Sequence, residues 1–439
     1  MTEEKNLRRL ALTLLNEYEE EGKYINLALN SHKADSLSGE ERAQLTALLY
    51  TAVERKLTYD YYISALSGRS QEDINPHTRN ILRLGLCQLL DMTSMPDFAA
   101  VNETVKLARS KGESAFVNGI LRCAARERDS LPMPPEEKNY KRYLSVKYSF
   151  PLGIVKHFDA LYGRENAEKI LEFYNTEKYT DITINTTKIS VAEYLDMLEK
   201  SGVLALEYAD FPHSIRIDSS VNPERLPGFS DGLFFVQDRA SAVSSVALSP
   251  ISDGVTVDVC SAPGGKSFAA AILSGDSGRI YSFDLHESKL SLIESGAKRL
   301  GLGSISACER DALTPDESLL GKADRVICDV PCSGLGVLGK KPDLRYKDLA
   351  ALTSLPPLQL DILTASAGYL KSGGELLYST CTLNPAENEC VVEKFLENNS
   401  DFALADFTVG SLNSKDGMLY MLPHIHKTDG FFMAKIIKK

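Results

Sequence analysis

The chain has 439 residues, which is long enough for two or three domains that each bury a core. Hydrophobic residues make up 43% and charged residues 25% of the sequence, a composition that excludes wholesale disorder. The sequence holds no run of about 18 apolar residues, and its acidic start lacks the apolar stretch of a signal peptide. We therefore expect a cytoplasmic protein with no membrane-spanning helix and no membrane partner.

The net charge and the cysteine content limit further which kinds of protein the sequence is compatible with. The 60 acidic residues outnumber the 49 basic ones, and the net charge of -11 argues against nonspecific binding of nucleic acid. A local basic face remains compatible with that charge. The eight cysteines, without a secretory signal, are typical of reduced thiols, and the lack of any C-x-x-C pair predicts no metal site.

The first part of the chain, residues 1–130, is predicted to be entirely helical, since its apolar residues recur at helical spacing. The proline-rich segment 131–141 is predicted to be a linker. Residues 142–235 mix helical spacing with strand-like alternation, which indicates a small α+β module. The helices and strands expected in that module lie at 157–175, 190–201, 181–187 and 214–220.

From residue 236 to residue 439, strand patterns alternate with helical ones. The predicted strands lie at 255–260, 279–284, 304–311, 324–331, 374–381 and 430–437, and two of the predicted helices at 357–371 and 386–398. Such alternation is typical of a mostly parallel sheet that helices cover on both faces. Ligands of these sheets bind beyond the carboxyl ends of the strands.

Three strand ends carry groups that suit a nucleoside. In VDVCSAPGGKS (257–267), Gly264 and Gly265 follow the first strand and allow a ligand to approach the backbone closely. Asp284 ends the second strand, about 20 residues later, where a carboxylate commonly binds ribose hydroxyls. Asp311 follows the third strand and suits an adenine amino group. The alternatives are a plain sharp turn for the glycines and helix caps for the two aspartates.

Two cysteines follow later strands of the same sheet. Cys332 lies just beyond a strand in CDVPCSGLG (328–336), three residues after Asp329, and Cys381 ends a strand in YSTCTLNPAENE (378–389). Their turn-rich surroundings favour reactivity. The other cysteines near these strands are interpreted as small buried hydrophobic residues, namely Cys260, Cys308 and Cys328.

Taken together, SAPGGK, DVPCSG and STCTLNPAENE resemble the RNA cytosine-C5 methyltransferases that use S-adenosylmethionine. FVQDRASA (235–242) and KKPDLRY (340–346) match further stretches of that family, and the N-terminal region, with FVNGILR (116–122), resembles the NusB fold. The order of the parts resembles the RsmB family, which methylates a cytosine of 16S ribosomal RNA. The resemblance implies an all-α NusB-like domain, a small α+β RNA-recognition-like module and an α/β Rossmann-like class I methyltransferase domain.

The resemblance also implies roles for individual residues. The cofactor loop would comprise Cys260, Ser261, Ala262, Pro263, Gly264, Gly265 and Lys266, with Asp284 at the ribose and Asp311 near the adenine. Cys381 would add to C6 of the cytosine, and Cys332 would help to release the product. Asp329 would lie near both the methyl donor and the cytosine, and we hypothesise that its protonated form stabilises the adduct at the N3 edge.

RNA contacts are expected from Lys340, Lys341 and Arg345, which follow the first cysteine motif directly. The expected partner is 16S ribosomal RNA before full subunit assembly, bound by a monomer. Alternatives are the same chemistry on tRNA or another ribosomal site, and a non-catalytic NusB-like RNA-binding factor. A nicotinamide-dependent dehydrogenase would need a G-x-G-x-x-G motif, which is missing. A DNA methyltransferase would use Cys332 as its nucleophile and would not need Cys381.

Overall fold

The computed structural model describes residues 7–22, 25, 29, 37–92, 95–176, 179–208, 211, 213–218 and 222–439. Contacts divide the chain into two units. The first contains the chain up to Asn175 together with the short segment Lys341–Lys347, and the second contains Thr176–Lys340 and Asp348–Lys439. The units are larger than the three predicted domains, whose boundaries stay a prediction.

The first unit is helical in its described residues. Side chains cap several of its helices: Ser38 accepts a hydrogen bond from the backbone of Glu41, and Asn75 precedes a helix that begins with a proline. The α-helices are α1 (Leu7–Glu21), α2 (Gly39–Glu54), α3 (Lys56–Ser67), α4 (Pro76–Leu90), α5 (Asp97–Val105), α6 (Lys111–Arg126), α7 (Tyr140–Lys147) and α8 (Leu152–Asn175), with 3-10 turns at Arg128–Ser130 and Pro342–Tyr346. Helix α8 is kinked at Gly163, whose φ is 74°.

Helix α4 lies in the centre of this unit and carries a buried charge. Arg83 is 3% exposed, and its guanidinium donates to both carboxylate oxygens of Asp60 at 2.6 and 2.7 Å and also bonds Glu19. A buried arginine is tolerated only when its donors are satisfied. These bonds tie α1 and α3 to α4 around the apolar core.

The segment Lys341–Lys347 returns to the first unit because Arg345 is bound there. Its side chain is fully buried, lies 3.9 Å from the centre of the Phe150 ring and donates to the Glu54 carboxylate at 3.2 Å. The backbone carbonyl of Tyr174 accepts a further hydrogen bond. The predicted RNA contact of Arg345 is therefore wrong in this arrangement, since its guanidinium is enclosed by protein. The sequence could not reveal this, because the partners are distant along the chain.

The second unit contains a small antiparallel sheet, built from strands in the order β2, β3, β1, β4. A capping box of Ser190 and Glu193 starts the helix that accompanies it. The elements are β1 (Tyr179–Ile184), α9 (Val191–Lys200), β2 (Ala205–Glu207), β3 (Ser214–Asp218), a 3-10 turn (Pro223–Arg225) and β4 (Phe234–Val236). The side chain of Asn185, just after β1, donates to the carbonyl of Leu300 at 2.9 Å and joins this sheet to the helix Glu287–Leu300 of the same unit.

The larger sheet of the second unit has eight strands among the described residues, in the order β10, β14, β9, β8, β5, β6, β7, with β13 paired to β14. Its elements are α10 (Arg239–Ala247), β5 (Val255–Asp258), α11 (Gly265–Leu273), β6 (Arg279–Asp284), α12 (Glu287–Leu300), β7 (Ile305–Glu309), β8 (Ala323–Asp329), α13 (Leu355–Ala367), β9 (Leu370–Thr380), α14 (Glu389–Asn398), β10 (Phe402–Leu404), β13 (Met418–Met421), α15 (Pro423–His426) and β14 (Phe431–Lys438). Short 3-10 turns and a two-strand hairpin complete the unit: Glu317–Leu319, Leu349–Ser354, Pro385–Glu387, β11 (Thr408–Val409) and β12 (Leu412–Asn413).

The predicted fold class is confirmed. Strands β5 to β9 pair in parallel, whereas β14 lies antiparallel to β9 and carries two further antiparallel strands that the sequence patterns did not predict. Those two strands are three and four residues long, too short for a clear alternation. None of the helices in the described ranges is long and apolar enough to cross a membrane.

Replacing Arg345 with alanine should lower the free energy of unfolding by about 3 to 5 kcal/mol, because the buried Glu54 carboxylate would lose its charged partner. Urea denaturation followed by circular dichroism measures this change. The matched control is Lys341→Ala, a substitution at an exposed residue of the same segment that should cost about 0.5 kcal/mol or less. Equal stability of the two variants would contradict the structural role of Arg345.

Candidate active site

The loop between β5 and α11 is held tightly against the neighbouring strand. Both the backbone N–H and the hydroxyl of Ser261 donate to the carbonyl of Phe283, at 2.8 and 2.9 Å. Gly264 has a φ of 108°, and a Cβ there would lie 2.5 Å from the Phe268 ring. The Ala262–Pro263 peptide is cis. The predicted glycine turn is thus built as a defined loop rather than as a flexible connection.

The first residue of this predicted loop, Cys260, is half-buried, and burial raises the pKa of its thiol. It therefore stays protonated and inert. By contrast, Cys308 is exposed, which corrects the prediction that it is a buried hydrophobic residue. Its position near the end of the outermost parallel strand, β7, explains this exposure. Cys328 is buried as predicted.

Asp284, at the carboxyl end of β6, lies beside that loop. Its carboxylate accepts hydrogen bonds from the backbone N–H groups of Ala262 and His286, both at 3.1 Å, and is largely buried. These bonds hold the carboxylate beside the loop between β5 and α11. Asp284 thus lies at the strand end where the sequence analysis predicted it. Asp311 lies beyond β7, is exposed, and accepts a hydrogen bond from the backbone of Leu313 at 3.0 Å, as a turn cap does.

Lys266 and Asp329 form an ion pair at this edge of the sheet. The Lys266 Nζ lies 2.6 Å from Asp329 Oδ2, and the Ser379 hydroxyl donates to Asp329 Oδ1 at 2.6 Å. The pair joins α11 to β8, and Ser379 contributes from β9. Lys266 and Ser379 thus each donate to one oxygen of the carboxylate, and the hypothesised proton donation by Asp329 stays a prediction. Sequence reasoning did not find Ser379, although it precedes Cys381 by two residues.

The two predicted thiols are in contact. Cys332 Sγ and Cys381 Sγ lie 3.1 Å apart, although the residues belong to loops that follow different strands, β8 and β9. The hydrogen bond with Cys381, together with burial, holds the pKa of the Cys332 thiol well above its ordinary value. The raised pKa favours the protonated form of Cys332, and either sulfur can act as the donor in this hydrogen bond.

The backbones of the two cysteine loops are packed closely enough to require glycine. The N–H of Gly336 donates to the carbonyl of Cys381 at 2.9 Å, and the N–H of Gly430 donates to the carbonyl of Gly336 at 2.8 Å. A Cβ on Gly336 would lie 1.8 Å from the Gly430 carbonyl oxygen, a distance that no side chain tolerates. The thiol contact is therefore fixed by backbone packing as well as by side chains.

Lys340 is exposed and forms ion pairs within the second unit, and its predicted contact with RNA stays a prediction. Its Nζ lies 2.5 Å from Asp238, whose carboxylate compensates its charge, and 2.9 Å from Asp429. Burial and the nearby Asp238 carboxylate raise the pKa of Asp429 to about 8. The lysine therefore ties three loops of the second unit together. Of the three predicted RNA-binding residues, Lys340 and Lys341 are exposed, and both keep their predicted role as a proposal.

Three family models match the chain. Residues 245–437 match the model described as 16S rRNA methyltransferase RsmB/F, residues 5–126 match the NusB family, and residues 150–224 match the ferredoxin-like domain of RsmF/B-like methyltransferases. The predicted NusB-like region and the predicted methyltransferase fold are thereby confirmed.

Relatives match the chain along its full length. A protein of Synechocystis sp. named "Probable ribosomal RNA small subunit methyltransferase B" is 37% identical, covering 98% of this chain and 99% of the relative. A Bacillus subtilis protein of the same name is 35% identical, with 99% of each chain covered. The crystal structure of PH0851 superposes with a TM-score of 0.79 at 27% identity, over 99% of this chain and 98% of that one. The chain thus belongs to the ribosomal RNA small subunit methyltransferase B family.

Proposed function

We propose that this protein methylates C5 of a cytosine in 16S ribosomal RNA through a covalent adduct between Cys381 and C6 of the base. The observation that carries this proposal is the contact of two thiols, 3.1 Å apart, beside the Lys266–Asp329 ion pair at the carboxyl edge of the sheet. The names of the relatives support the small-subunit ribosomal RNA as substrate. We further propose that the protein acts in the cytoplasm, as a monomer, before subunit assembly is complete.

The cofactor of this methyltransferase family is S-adenosylmethionine, which supplies the methyl group when it is bound. The loop fits such a molecule. Asp284 offers oriented acceptor oxygens for the ribose hydroxyls. Among the described residues, the Gln237 amide nitrogen is the only atom within 4 Å of the place a Cβ on Gly265 would take, at 3.7 Å, so there is open space beside this glycine. Helix α11 starts at Gly265, and none of the described side chains caps it. Its first backbone N–H groups therefore suit the carboxylate of the cofactor. Asp311 is proposed to lie near the adenine.

The chemistry requires a nucleophile because C5 of cytosine is too weak to take a methyl group unaided. Addition of the Cys381 thiolate at C6 forms a carbon–sulfur bond and shifts electrons toward C5, which becomes enamine-like. The Lys266–Asp329 pair is proposed to interact with the base at its N3 edge. After methylation, a base removes the C5 proton, the C5–C6 double bond forms again, and the thiolate of Cys381 leaves. The Cys332 thiol stabilises that leaving thiolate by donating a hydrogen bond.

The hydrogen bond between the two cysteines supports the proposed assignment of their roles. Because Cys332 keeps its proton, it suits the role of donor in the release step better than the role of nucleophile. This favours Cys381 as the nucleophile and disfavours the DNA-type alternative, in which Cys332 would attack. A non-catalytic RNA-binding factor would have no use for two thiols in contact with each other, next to an ion pair.

Alanine substitution of each cysteine should give opposite results with labelled S-adenosylmethionine and deproteinised 16S RNA. Cys381→Ala should abolish both methylation and the covalent complex, because no nucleophile remains. Cys332→Ala should form the complex but release it slowly, so that a protein–RNA band accumulates on a denaturing gel. Accumulation with Cys381→Ala instead would reverse the two roles, and no label transfer by the unaltered protein would refute the proposed substrate.

Asp329→Asn should lower kcat by about 100-fold or more, because it removes the charged partner of Lys266 beside the reacting base. Binding of S-adenosylmethionine, measured by calorimetry, should stay within a few fold if Asp329 acts mainly on the base. The matched control is Asp311→Asn, which changes an exposed carboxylate of the same sheet edge and should affect cofactor binding more than kcat. A near-normal turnover and pH profile for Asp329→Asn would contradict its proposed role.

Lys341→Ala should weaken RNA binding and reduce the slope of log K against log salt by about one unit, as expected for the loss of one phosphate contact. Filter binding at several salt concentrations measures this slope. Lys322→Ala removes an exposed lysine elsewhere and serves as the control. An identical slope for Lys341→Ala and the unaltered protein would remove Lys341 from the RNA-binding surface.

A further inference from the structure

The peptide groups on both sides of Cys332 are held by two buried side chains. The Gln359 amide donates to the carbonyl of Pro331 at 2.9 Å, and the N–H of Ser333 donates to the Glu387 carboxylate at 2.8 Å. Gln359 also donates to the same carboxylate oxygen at 3.1 Å. Both Gln359 and Glu387 are 0% exposed. The backbone on both sides of Cys332 is therefore restrained by two side chains that are themselves buried.

The Cys381 loop is held in the same way by Asn388, the residue that follows Glu387. The Thr380 hydroxyl donates to the Asn388 side chain at 2.5 Å, and the Asn388 amide donates to the carbonyl of Thr382 at 3.1 Å. Asn388 is also 0% exposed. The hydroxyls of Ser333 and Thr382, which follow the two cysteines, share a hydrogen bond at 2.7 Å. One dipeptide, Glu387–Asn388, thus holds both cysteine loops.

We propose that Glu387 and Asn388 are positioning residues that set the separation of the two thiols, with Glu387 acting on Cys332 and Asn388 on Cys381. The inference deepens the proposed function and rests on it. It gives a role to the NPAENE stretch, which the sequence analysis used only as part of a motif that resembles the family. The Glu387 side chain instead accepts from Ser333, Gln359 and Asn384, and none of these belongs to α14.

The charge of Glu387 adds an electrostatic role to the geometric one. The ionisable groups that face Cys332 are Cys381, Tyr378 and Glu387. After the hydrogen bond with Cys381 and burial, the negative charge of Glu387 also raises the pKa of the Cys332 thiol. A buried carboxylate beside a thiol disfavours the thiolate. Glu387 therefore helps to keep Cys332 protonated, as its role in the release step demands.

The test compares Glu387→Gln with Glu393→Gln. The control makes the same chemical change at an exposed glutamate of α14, the helix that follows Glu387. Glu387→Gln should form the covalent RNA complex but release it about 10- to 100-fold more slowly, the effect expected for losing charge-assisted hydrogen bonds. Asn388→Ala should instead slow formation of the complex. A role in folding alone would not separate the two steps in this way.

A second measurement needs neither RNA nor S-adenosylmethionine. Glu387→Gln removes a negative charge beside Cys332, so the pKa of that thiol falls and its alkylation by iodoacetamide at pH 8 should be faster, as read by mass spectrometry. The control Glu393→Gln should match the unaltered protein. If Glu387→Gln does not fold, as shown by circular dichroism, Gln359→Leu removes the bonds to Pro331 and Glu387 and should also cause the complex to accumulate.

The outcomes separate the two proposals. If the unaltered protein methylates RNA and Cys332→Ala accumulates the complex, while Glu387→Gln releases RNA and reacts with iodoacetamide as Glu393→Gln does, the positioning role is overturned and the proposed function stands. If the unaltered protein transfers no methyl group and Cys332→Ala forms no complex, the proposed function fails. The alkylation rates then still decide whether Glu387 acts on Cys332.

Discussion

The parallel pairing of β8 with β9 is the constraint on which the site depends. In this register Asp329 lies opposite Ser379, and the hydroxyl of Ser379 donates to the Asp329 carboxylate at 2.6 Å. Both strands end at the same edge of the sheet, so the loops that follow them start side by side. A slip of one residue would turn the side chains to the opposite faces and separate the two cysteines. The contact of the thiols is thus a consequence of strand register.

The two lysines described at this edge of the sheet have acidic partners. Lys266 pairs with Asp329, while Lys340 lies between Asp238 and Asp429. Glu387 is different, since the donors described for its carboxylate are neutral amides. Three hydrogen bonds can satisfy a buried carboxylate without a counter-ion, but its negative charge then acts on its neighbours. The titratable neighbours on which this charge acts include the thiol of Cys332 and the hydroxyl of Tyr378, and it raises the pKa of both.

The sequence allowed the sheet to be predicted because its parallel strands are continuous apolar runs bounded by turn residues. It also allowed Cys332 and Cys381 to be placed together, since the carboxyl ends of parallel strands share an edge. It could not predict the ion pairs of Lys340 or the burial of Arg345. Their partners, such as Asp429 and Glu54, lie far away along the chain, and a basic run looks the same whether it faces solvent or protein. Burial of a charged residue depends on tertiary contacts.

Two thiols in contact can take different roles in the reaction only if their pKa values differ. A symmetrical pair would place either sulfur on the base, and the second would then compete with the first instead of assisting its release. The pKa of the Cys332 thiol is raised by its hydrogen bond with Cys381, by burial and by the charge of Glu387, and this distinguishes the two sulfurs. In the proposed mechanism, the network around Pro331, Ser333, Gln359 and Glu387 therefore does more than hold a loop, because its negative charge also favours the proton on Cys332.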